Sequence, residues 1–321
     1  MDETKFINQN ANPDRLDELF NQFIRECQYV KRLRPATLKG YKASYVLLKK
    51  LSRVTIDSLT TEVLTDFFSV MQTRTRIVGR GIEKTGVKDS TVATYARKLN
   101  IFFEWLIREK HIFENPIKKL PKYRPVYDDM KALRKEDIER IRTAIENYST
   151  SLLQKKRDRA MVSTLTFCGI RKGELLGLKV TDINLERRIM TVSGETSKSK
   201  RTKTLPMNPN LVMDLEDYLG QRKKDYKTPQ LFVSLNTDKG LSADGLVHWV
   251  YRLRKLSGVR FHLHQFRHTF ASNLATKGIG AIQLLKLLGH TDLRMTQVYV
   301  RSVTSEDLRP AVNNLSFENL M

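Results

Sequence analysis

The 321-residue chain carries 57 Lys and Arg against 35 Asp and Glu, a formal net charge of +22 at pH 7, and 40% of its residues are hydrophobic. A charge of this size favours a polyanionic partner, and because the basic residues are spread through core-forming segments, nucleic acid is favoured over a membrane surface. Cys27 and Cys168 are the only cysteines, which excludes a disulfide framework or a cysteine zinc site and indicates a reducing compartment.

The first residues, MDETKFINQN, lack the basic-then-apolar pattern of a signal peptide. No later stretch approaches the roughly 18 consecutive apolar residues of a spanning helix. We therefore expect a cytoplasmic protein with no membrane partner.

Four amphipathic helices are predicted in residues 1–120, because apolar residues recur there at helical spacing after polar starts. The basic, Gly-rich stretch 74–88 between the third and fourth helices predicts a loop. The four stripes are Leu16, Leu19, Phe20, Phe23 and Ile24; Leu38, Tyr41, Tyr45 and Leu48 after Thr37 as N-cap; Val63, Leu64, Phe67, Phe68 and Met71 after Thr60 or Thr61; and Val92, Tyr95, Ala96, Leu99, Phe102, Phe103 and Leu106 after Ser90.

A domain boundary is predicted after this helical domain. Residues 121–129 contain Pro121 and Pro125 with polar or aromatic residues between them, a stretch that cannot continue a helix. We interpret residues 121–129 as an interdomain linker and residues 130–321 as a second domain.

The second domain is predicted to be helical with one β-hairpin. Helical patterns cover 135–145 and 159–167, and Gly169 ends the latter. β-forming residues at 189–192 and 202–205 flank a Gly, Ser and Lys-rich turn, which is typical of a hairpin. Helical patterns resume at Asn210 and continue towards the C-terminus.

Seven residues of this domain form an ordered set of motifs. His264 and Arg267 are three residues apart and would share one helix face, a pairing suited to phosphate. A zinc site at His262, His264 and His268 is not favoured, because no cysteine supports it and the helical register is lost. The seven are Arg171 and Glu174 in GIRKGELLGL, Lys198 in SGETSKSKRTKTLP, His264 and Arg267 in HLHQFRHTF, His290 in LLGH, and Tyr299 nine residues later.

With these motifs, the chain resembles the tyrosine recombinase family, which includes phage integrases and Xer-type resolvases. The resemblance spans roughly residues 158–301. It implies a fold that is mainly α with a small β-sheet: an N-terminal helical, SAM-like core-binding domain and a C-terminal α+β catalytic domain. Lys200 and Lys203 also lie in the hairpin, but Lys198 stands at the turn, as the family pattern expects.

The resemblance implies that Tyr299 attacks a DNA phosphodiester and forms a 3′-phosphotyrosyl link. Two guanidinium groups are well shaped to stabilise the negative charge that develops on the nonbridging oxygens in the transition state. The resemblance implies that Arg171 and Arg267 supply them. His264 would accept the phenol proton, and Lys198 would protonate the leaving 5′-oxygen. His290 would form a hydrogen bond with a nonbridging oxygen. Glu174 would orient Arg171. The reaction conserves bond energy, so no ATP, cofactor or metal is expected.

The implied partner is double-stranded DNA with a specific recombination site, bound by a homotetramer on two duplexes. An apolar tail, residues 307–321, is expected to dock onto a neighbouring protomer. The resemblance does not decide whether accessory DNA-bending or partner proteins are needed, or whether the protein is an integrase or a resolvase. The alternatives are a type IB topoisomerase, which the LGHTDLRMTQVY string and the tail disfavour, and an architectural DNA-binding protein, which the intact motif set disfavours.

Overall fold

A computed structural model describes residues 14–79, 81–121, 132–197, 200–223, 225–300 and 303–313. The chain divides into two compact units, residues 1–128 and 129–321, and each has its own hydrophobic core. The predicted linker, residues 121–129, lies outside the described residues except for Pro121. The expectation of a mainly α fold with a small β-sheet is confirmed.

The first unit contains the four predicted helices around an aromatic core. The ring of Phe20 stacks on that of Tyr45 with centroids 3.9 Å apart, and the edge of Phe102 meets Phe20 at 5.1 Å. Such pairs stabilise a core beyond the area that they bury. The helices are α1 (Arg15–Arg25), continued by a π-helical turn (Glu26–Val30), α2 (Pro35–Ser52), α3 (Thr61–Thr73) and α4 (Asp89–Arg108), followed by a 3₁₀ turn (Pro116–Lys119).

Three local predictions for this unit are wrong. Stretch 74–88 is not a plain loop, since β1 (Thr75–Val78) and β2 (Ile82–Thr85) pair antiparallel within it. The N-cap of α2 is Arg34 rather than Thr37, because Pro35, with its φ fixed near the helical value, occupies the first turn. The fourth helix begins at Asp89, which makes Lys88 its N-cap and puts Ser90 inside the first turn.

The second unit packs helices around the long, buried α6. This helix contacts α8 and α10, and the antiparallel sheet has the order β3-β4-β5 with Met190 opposite Leu205. The predicted hairpin is therefore present, and β3 was not predicted. The elements are α5 (Lys135–Tyr148), α6 (Leu152–Cys168), α7 (Lys172–Gly177), a 3₁₀ turn (Val180–Asp182), β3 (Ile183–Asn184), β4 (Ile189–Val192), β5 (Lys203–Pro206), α8 (Pro209–Gln221), α9 (Ala243–Ser257), α10 (Leu263–Thr276), α11 (Ala281–Leu288), α12 (Arg294–Val300) and α13 (Ser305–Asn313).

Candidate active site

Two glycine-terminated helices bring charged side chains to one end of the second unit. Gly169 ends α6 with φ 55°, and a Cβ there would lie 2.4 Å from Cδ1 of Phe270, so only glycine fits. The chain then turns to Arg171, the N-cap of α7. Gly289 ends α11 in the same left-handed conformation, with φ 63°, and delivers His290 directly after the helix.

A cavity of about 400 Å³ lies among α7, α10, the α11–α12 turn and α12. Five of the seven predicted site residues line it, namely Arg171, His264, Arg267, His290 and Tyr299, together with His268, Gly289, Thr291, Met295 and Val298. Glu174 does not line the cavity but bonds to Arg171 beside it. Lys198 lies outside the described residues.

The two arginines share one helix end as an anchor. Arg267 is 1% exposed and donates from Nη1 to the carbonyl oxygen of Gly169 (2.8 Å) and from Nη2 to that of Leu288 (2.6 Å). Arg171 Nη1 lies 3.5 Å from the same Leu288 oxygen. The last carbonyls of a helix lack partners within it, so the end of α11 accepts these donors. Burial and then the charge of Arg171 lower the pKa of Arg267 to about 10, which leaves it a cation near neutral pH.

Glu174 is a buried carboxylate that is fully engaged. It accepts from the backbone N–H of Arg171 (3.0 Å), from Nη1 of Arg171 (3.0 Å) and from Oγ of Ser197 (3.1 Å), and it pairs with Nζ of Lys203 at 3.3 Å. Burial would raise the pKa of Glu174, but Lys203 and the bonds from Arg171 outweigh it and hold the pKa below its ordinary value. Glu174 is therefore ionised and fixes the guanidinium of Arg171.

His290 is a buried, neutral imidazole. Its Nδ1 forms a 3.0 Å hydrogen bond with Oγ1 of Thr296, which is itself fully buried. Burial, followed by the charges of Arg267 and Arg171, lowers the pKa of His290 to about 4. Because Thr296 occupies Nδ1, the other ring nitrogen, Nε2, is the one that can bond to a group in the cavity.

Tyr299 lies on α12 with its ring packed among the side chains of α10 and α11. Its side chain clusters with Ala271, Ala275, Leu284 and Leu288, and the residue is 6% exposed. Burial raises the pKa of the Tyr299 phenol, and the charges of Arg267 and Arg171 offset part of that shift. The phenol therefore borders the cavity in its protonated form near neutral pH.

Two histidines one helical turn apart on α10 line the same cavity as Tyr299. The ring centroids of His264 and His268 are 4.5 Å apart, and those of His268 and Tyr299 are 5.4 Å apart. Burial and then Arg267 lower the pKa of His264, and burial and then His264 lower that of His268 to about 4. His268 is 3% exposed, and among the described residues its Nε2 has no hydrogen-bond partner.

Three residues of this region were missed as site residues by the sequence reasoning: Lys203, His268 and Thr296. The alternation of strand β5 puts Lys203 on the same face as the buried Leu205, which was a usable signal. The i, i+4 spacing from His264 puts His268 on the same helix face, which was another. The bond between His290 and Thr296 crosses a turn, and no periodicity predicts it.

Within the described ranges, no group of three or more His, Cys, Asp or Glu side chains is arranged to hold a metal ion. The His262, His264 and His268 trio is therefore not a metal cluster. Nor does any described helix have the length and apolar character needed to cross a membrane.

Comparison with known sequences identifies relatives along most of the chain. A family model described as the phage integrase family matches residues 131–306. The tyrosine recombinase XerA of Pyrococcus furiosus is 32% identical over 239 residues, which are 73% of this chain and 77% of that protein. The tyrosine recombinase XerD of Proteus mirabilis is 27% identical over 325 residues, covering 95% of this chain and 96% of that one.

Comparison with solved structures gives the same fold. The integrase of the transposon Tn1549, solved in complex with transposon right end DNA, superposes with a TM-score of 0.74 over 93% of this chain and 98% of that one, at 21% identity. The XerH site-specific recombinase bound to palindromic difH substrate superposes with a TM-score of 0.69 over 91% of this chain and 83% of that one, at 20% identity. Fold, motif order and sequence similarity agree, and the chain belongs to the tyrosine recombinase family of site-specific DNA recombinases.

Proposed function

We propose that this protein cleaves and rejoins DNA at a specific recombination site, with Tyr299 as the nucleophile and a 3′-phosphotyrosyl intermediate. The observation that carries the proposal is the convergence of Arg171, Arg267 and His290 on the cavity that Tyr299 borders. A cavity bounded by two arginines and a phenol suits a phosphodiester better than a neutral substrate. The type IB topoisomerase alternative is not favoured, since the relatives named above are recombinases.

The two guanidiniums would stabilise the charge that grows on the nonbridging oxygens during attack. Their anchors support this role, because Gly169 O, Leu288 O and Glu174 hold the forks in place before DNA arrives. Donors fixed in advance cost no reorganisation when the transition state forms. Nε2 of His290, oriented through Thr296, would donate a further hydrogen bond to the same phosphoryl group.

The phenol must lose its proton as it attacks phosphorus. His264 is the proposed acceptor, and the low pKa that burial and Arg267 give it supports the role, because a base must be unprotonated at the working pH. The developing phenolate would be stabilised by Arg267 and Arg171, whose charges already oppose the effect of burial on Tyr299. Lys198 is the proposed acid for the leaving 5′-oxygen, and it lies outside the described residues.

Strand exchange needs more than one active site, so we propose a homotetramer acting on two duplexes. Docking of the tail at residues 307–321 onto a neighbour is part of this proposal; residues 314–321 lie outside the described part of the chain. The DNA complexes of the Tn1549 integrase and XerH support duplex DNA as the partner. The proposal includes action in the cytoplasm, where such a substrate is accessible, and leaves the target sequence and accessory proteins to experiment.

The test uses a pool of nicked suicide duplexes with a randomised central segment, so that a cleaved strand cannot be rejoined. We expect DNA that stays attached to the protein after denaturation, in the presence of EDTA, and sequencing of that DNA should return one site. The Tyr299→Phe variant should give no adduct, whereas Tyr148→Phe, a matched change at an exposed tyrosine of α5, should behave as the unaltered protein. Adduct formation by Tyr299→Phe would overturn the assignment of the nucleophile.

A further inference from the structure

Lys203 is a buried lysine for which the proposed reaction has no role. It opens strand β5, where its side chain is 9% exposed and points to the same face as the buried Leu205. An ammonium seldom loses this much water unless it is paired. The burial of Lys203 therefore predicts that acceptors surround its ammonium group.

The ammonium of Lys203 meets three acceptors, one for each of its N–H groups. Its Nζ lies 3.3 Å from Oε2 of Glu174, 3.3 Å from the carbonyl oxygen of Leu287 and 3.4 Å from that of Leu288. Its aliphatic stem runs under Gly289, since a Cβ there would lie 3.2 Å from Cδ of Lys203. The charge thus lies at the C-terminal end of α11, the negative end of a helix dipole.

Two of these acceptors also hold the arginines of the cavity. Glu174 pairs with Lys203 through Oε2, which also accepts from the backbone N–H of Arg171, and it binds the Arg171 guanidinium through Oε1. The Leu288 oxygen accepts from Lys203 and from Arg267. Lys203 therefore shares an acceptor with each of the two guanidiniums.

We propose that Lys203 is a positioning residue for the recombination reaction: it ties strand β5 to Glu174 and to the end of α11, and so fixes the two arginines. The inference rests on the proposed function of the cavity. It also gives Lys203 a role distinct from the one proposed for Lys198. A general acid has to approach the leaving oxygen with a free N–H, and the three N–H groups of Lys203 are engaged, so Lys203 is not the acid.

The electrostatics keep Lys203 charged, as an anchor for a carboxylate and two carbonyl oxygens requires. Burial lowers the pKa of Lys203 to about 8, Glu174 opposes that shift, and Arg267 adds to it. The ammonium is thus charged near neutral pH. Its removal would leave the buried Glu174 with Arg171 as its one cationic partner among the described residues.

The test compares Lys203→Met with Lys198→Met on two suicide duplexes, one ordinary and one with sulfur in place of the bridging 5′-oxygen at the cleaved bond. In both, Tyr299 oxygen bonds to phosphorus as the bond to the 5′-atom breaks. The oxygen leaving group takes up a proton from the acid, whereas the sulfur leaves as a thiolate and needs none, since a thiol has a pKa near 8.5. The sulfur duplex therefore rescues a variant that lacks only the acid.

We expect Lys198→Met to cleave slowly on the ordinary duplex and to be restored by sulfur. Lys203→Met should cleave about 10-fold to 100-fold more slowly on both duplexes, less than the roughly 100-fold to 1000-fold cost of removing a direct donor, because the arginines remain and only their support is lost. Its affinity for DNA should be unchanged, because a buried ammonium cannot reach a phosphate. Lys135→Met, a change at an exposed lysine of α5, controls for loss of one positive charge.

A second variant tests the route through the carboxylate. If Lys203 acts by holding Glu174, the double variant Lys203→Met with Glu174→Gln should be no slower than the slower single variant, because both remove the same link. Independent, multiplying losses would contradict that route. Should Lys203→Met melt below the assay temperature, Lys203→Arg retains a cation at the end of α11 and should recover most of the cleavage rate.

Three results would overturn the inference: unaltered cleavage by Lys203→Met, rescue of Lys203→Met by sulfur, or a loss that appears only in DNA affinity. Failure of the unaltered protein to form an adduct with either duplex would instead count against the proposed function.

Discussion

The hydrogen bond between His290 and Thr296 offers a sharp test of how the cavity is built. Thr296→Val keeps the shape of the side chain and removes Oγ1, the partner of His290 Nδ1 at 3.0 Å. Both residues are buried, at 8% and 0% exposure, so water does not readily replace the hydroxyl. A buried polar atom without a partner costs about 1–3 kcal/mol.

That cost sets the size of the expected effect. The ring can relieve it by turning towards another partner, and the population with Nε2 available to the cavity falls accordingly. At about 1.4 kcal/mol per factor of ten, the cleavage rate falls by roughly 5-fold to 150-fold. The melting temperature should fall by about 2–4 °C for each kcal/mol that is not relieved in this way.

The assay is single-turnover formation of the covalent adduct on a suicide duplex, with DNA affinity and melting temperature measured alongside. Thr164→Val is the matched control, because Thr164 is also fully buried but donates to the carbonyl of Ala160 within its own helix. We expect the control to cleave at nearly the unaltered rate. If Thr296→Val cleaves as fast as Thr164→Val, the orientation of His290 through Nδ1 does not matter and the reasoning fails.

Two further outcomes follow from the charges. Burial and neighbouring charges lower the pKa values of His268 and His290 to about 4, against an ordinary 6.5, so the unfolded chain binds more protons than the folded protein between pH 4 and 6.5. The stability present above pH 6.5 should therefore be lost as the pH falls towards 4. The melting temperature of His268→Phe should change less with pH than that of the unaltered protein. If roughly ten phosphates are neutralised, the logarithm of DNA affinity should fall with that of salt concentration at a slope near −9, and a flat titration would contradict extensive phosphate contact.

The residues that line the cavity could be predicted from the sequence where a short-range pattern indicates their position. Helix-ending glycines at 169 and 289 announce the turns that deliver Arg171 and His290, and the three-residue spacing of His264 and Arg267 fixes a shared helix face. The remaining contacts could not be predicted, because they join residues that are far apart in the sequence. The acceptors of Lys203 lie more than 80 residues beyond it or 29 residues before it, and the alternation of β5, which predicts an inward-facing Lys203, does not indicate which acceptors it meets.

The fold shows the same division between local and distant causes. The apolar stripes predicted the helices of the first unit because each stripe needs only its own spacing. Stretch 74–88 was predicted to be a loop on its glycines, yet Gly79 and Gly81, with φ of 58° and 81°, form the turn that lets Val78 pair with Ile82. Glycine marks the turn of a hairpin as readily as a loop, and the exposed strands carry no apolar alternation that separates the two.

In the proposed reaction, the cations around the cavity would act on both the phosphate and the proton that the phenol loses. Arg171 and Lys203 pair with the carboxylate of Glu174, and Arg267 shares the Leu288 oxygen with them. Three cations and one carboxylate leave an excess of two positive charges beside the place proposed for a phosphodiester. The same field works with burial to keep His264 and His290 neutral, and it lowers the cost of a phenolate at Tyr299. A weaker field would stabilise the proposed phosphoryl transition state less and would also let the histidines take up protons, so in the proposed reaction attack and proton acceptance would depend on the same two arginines.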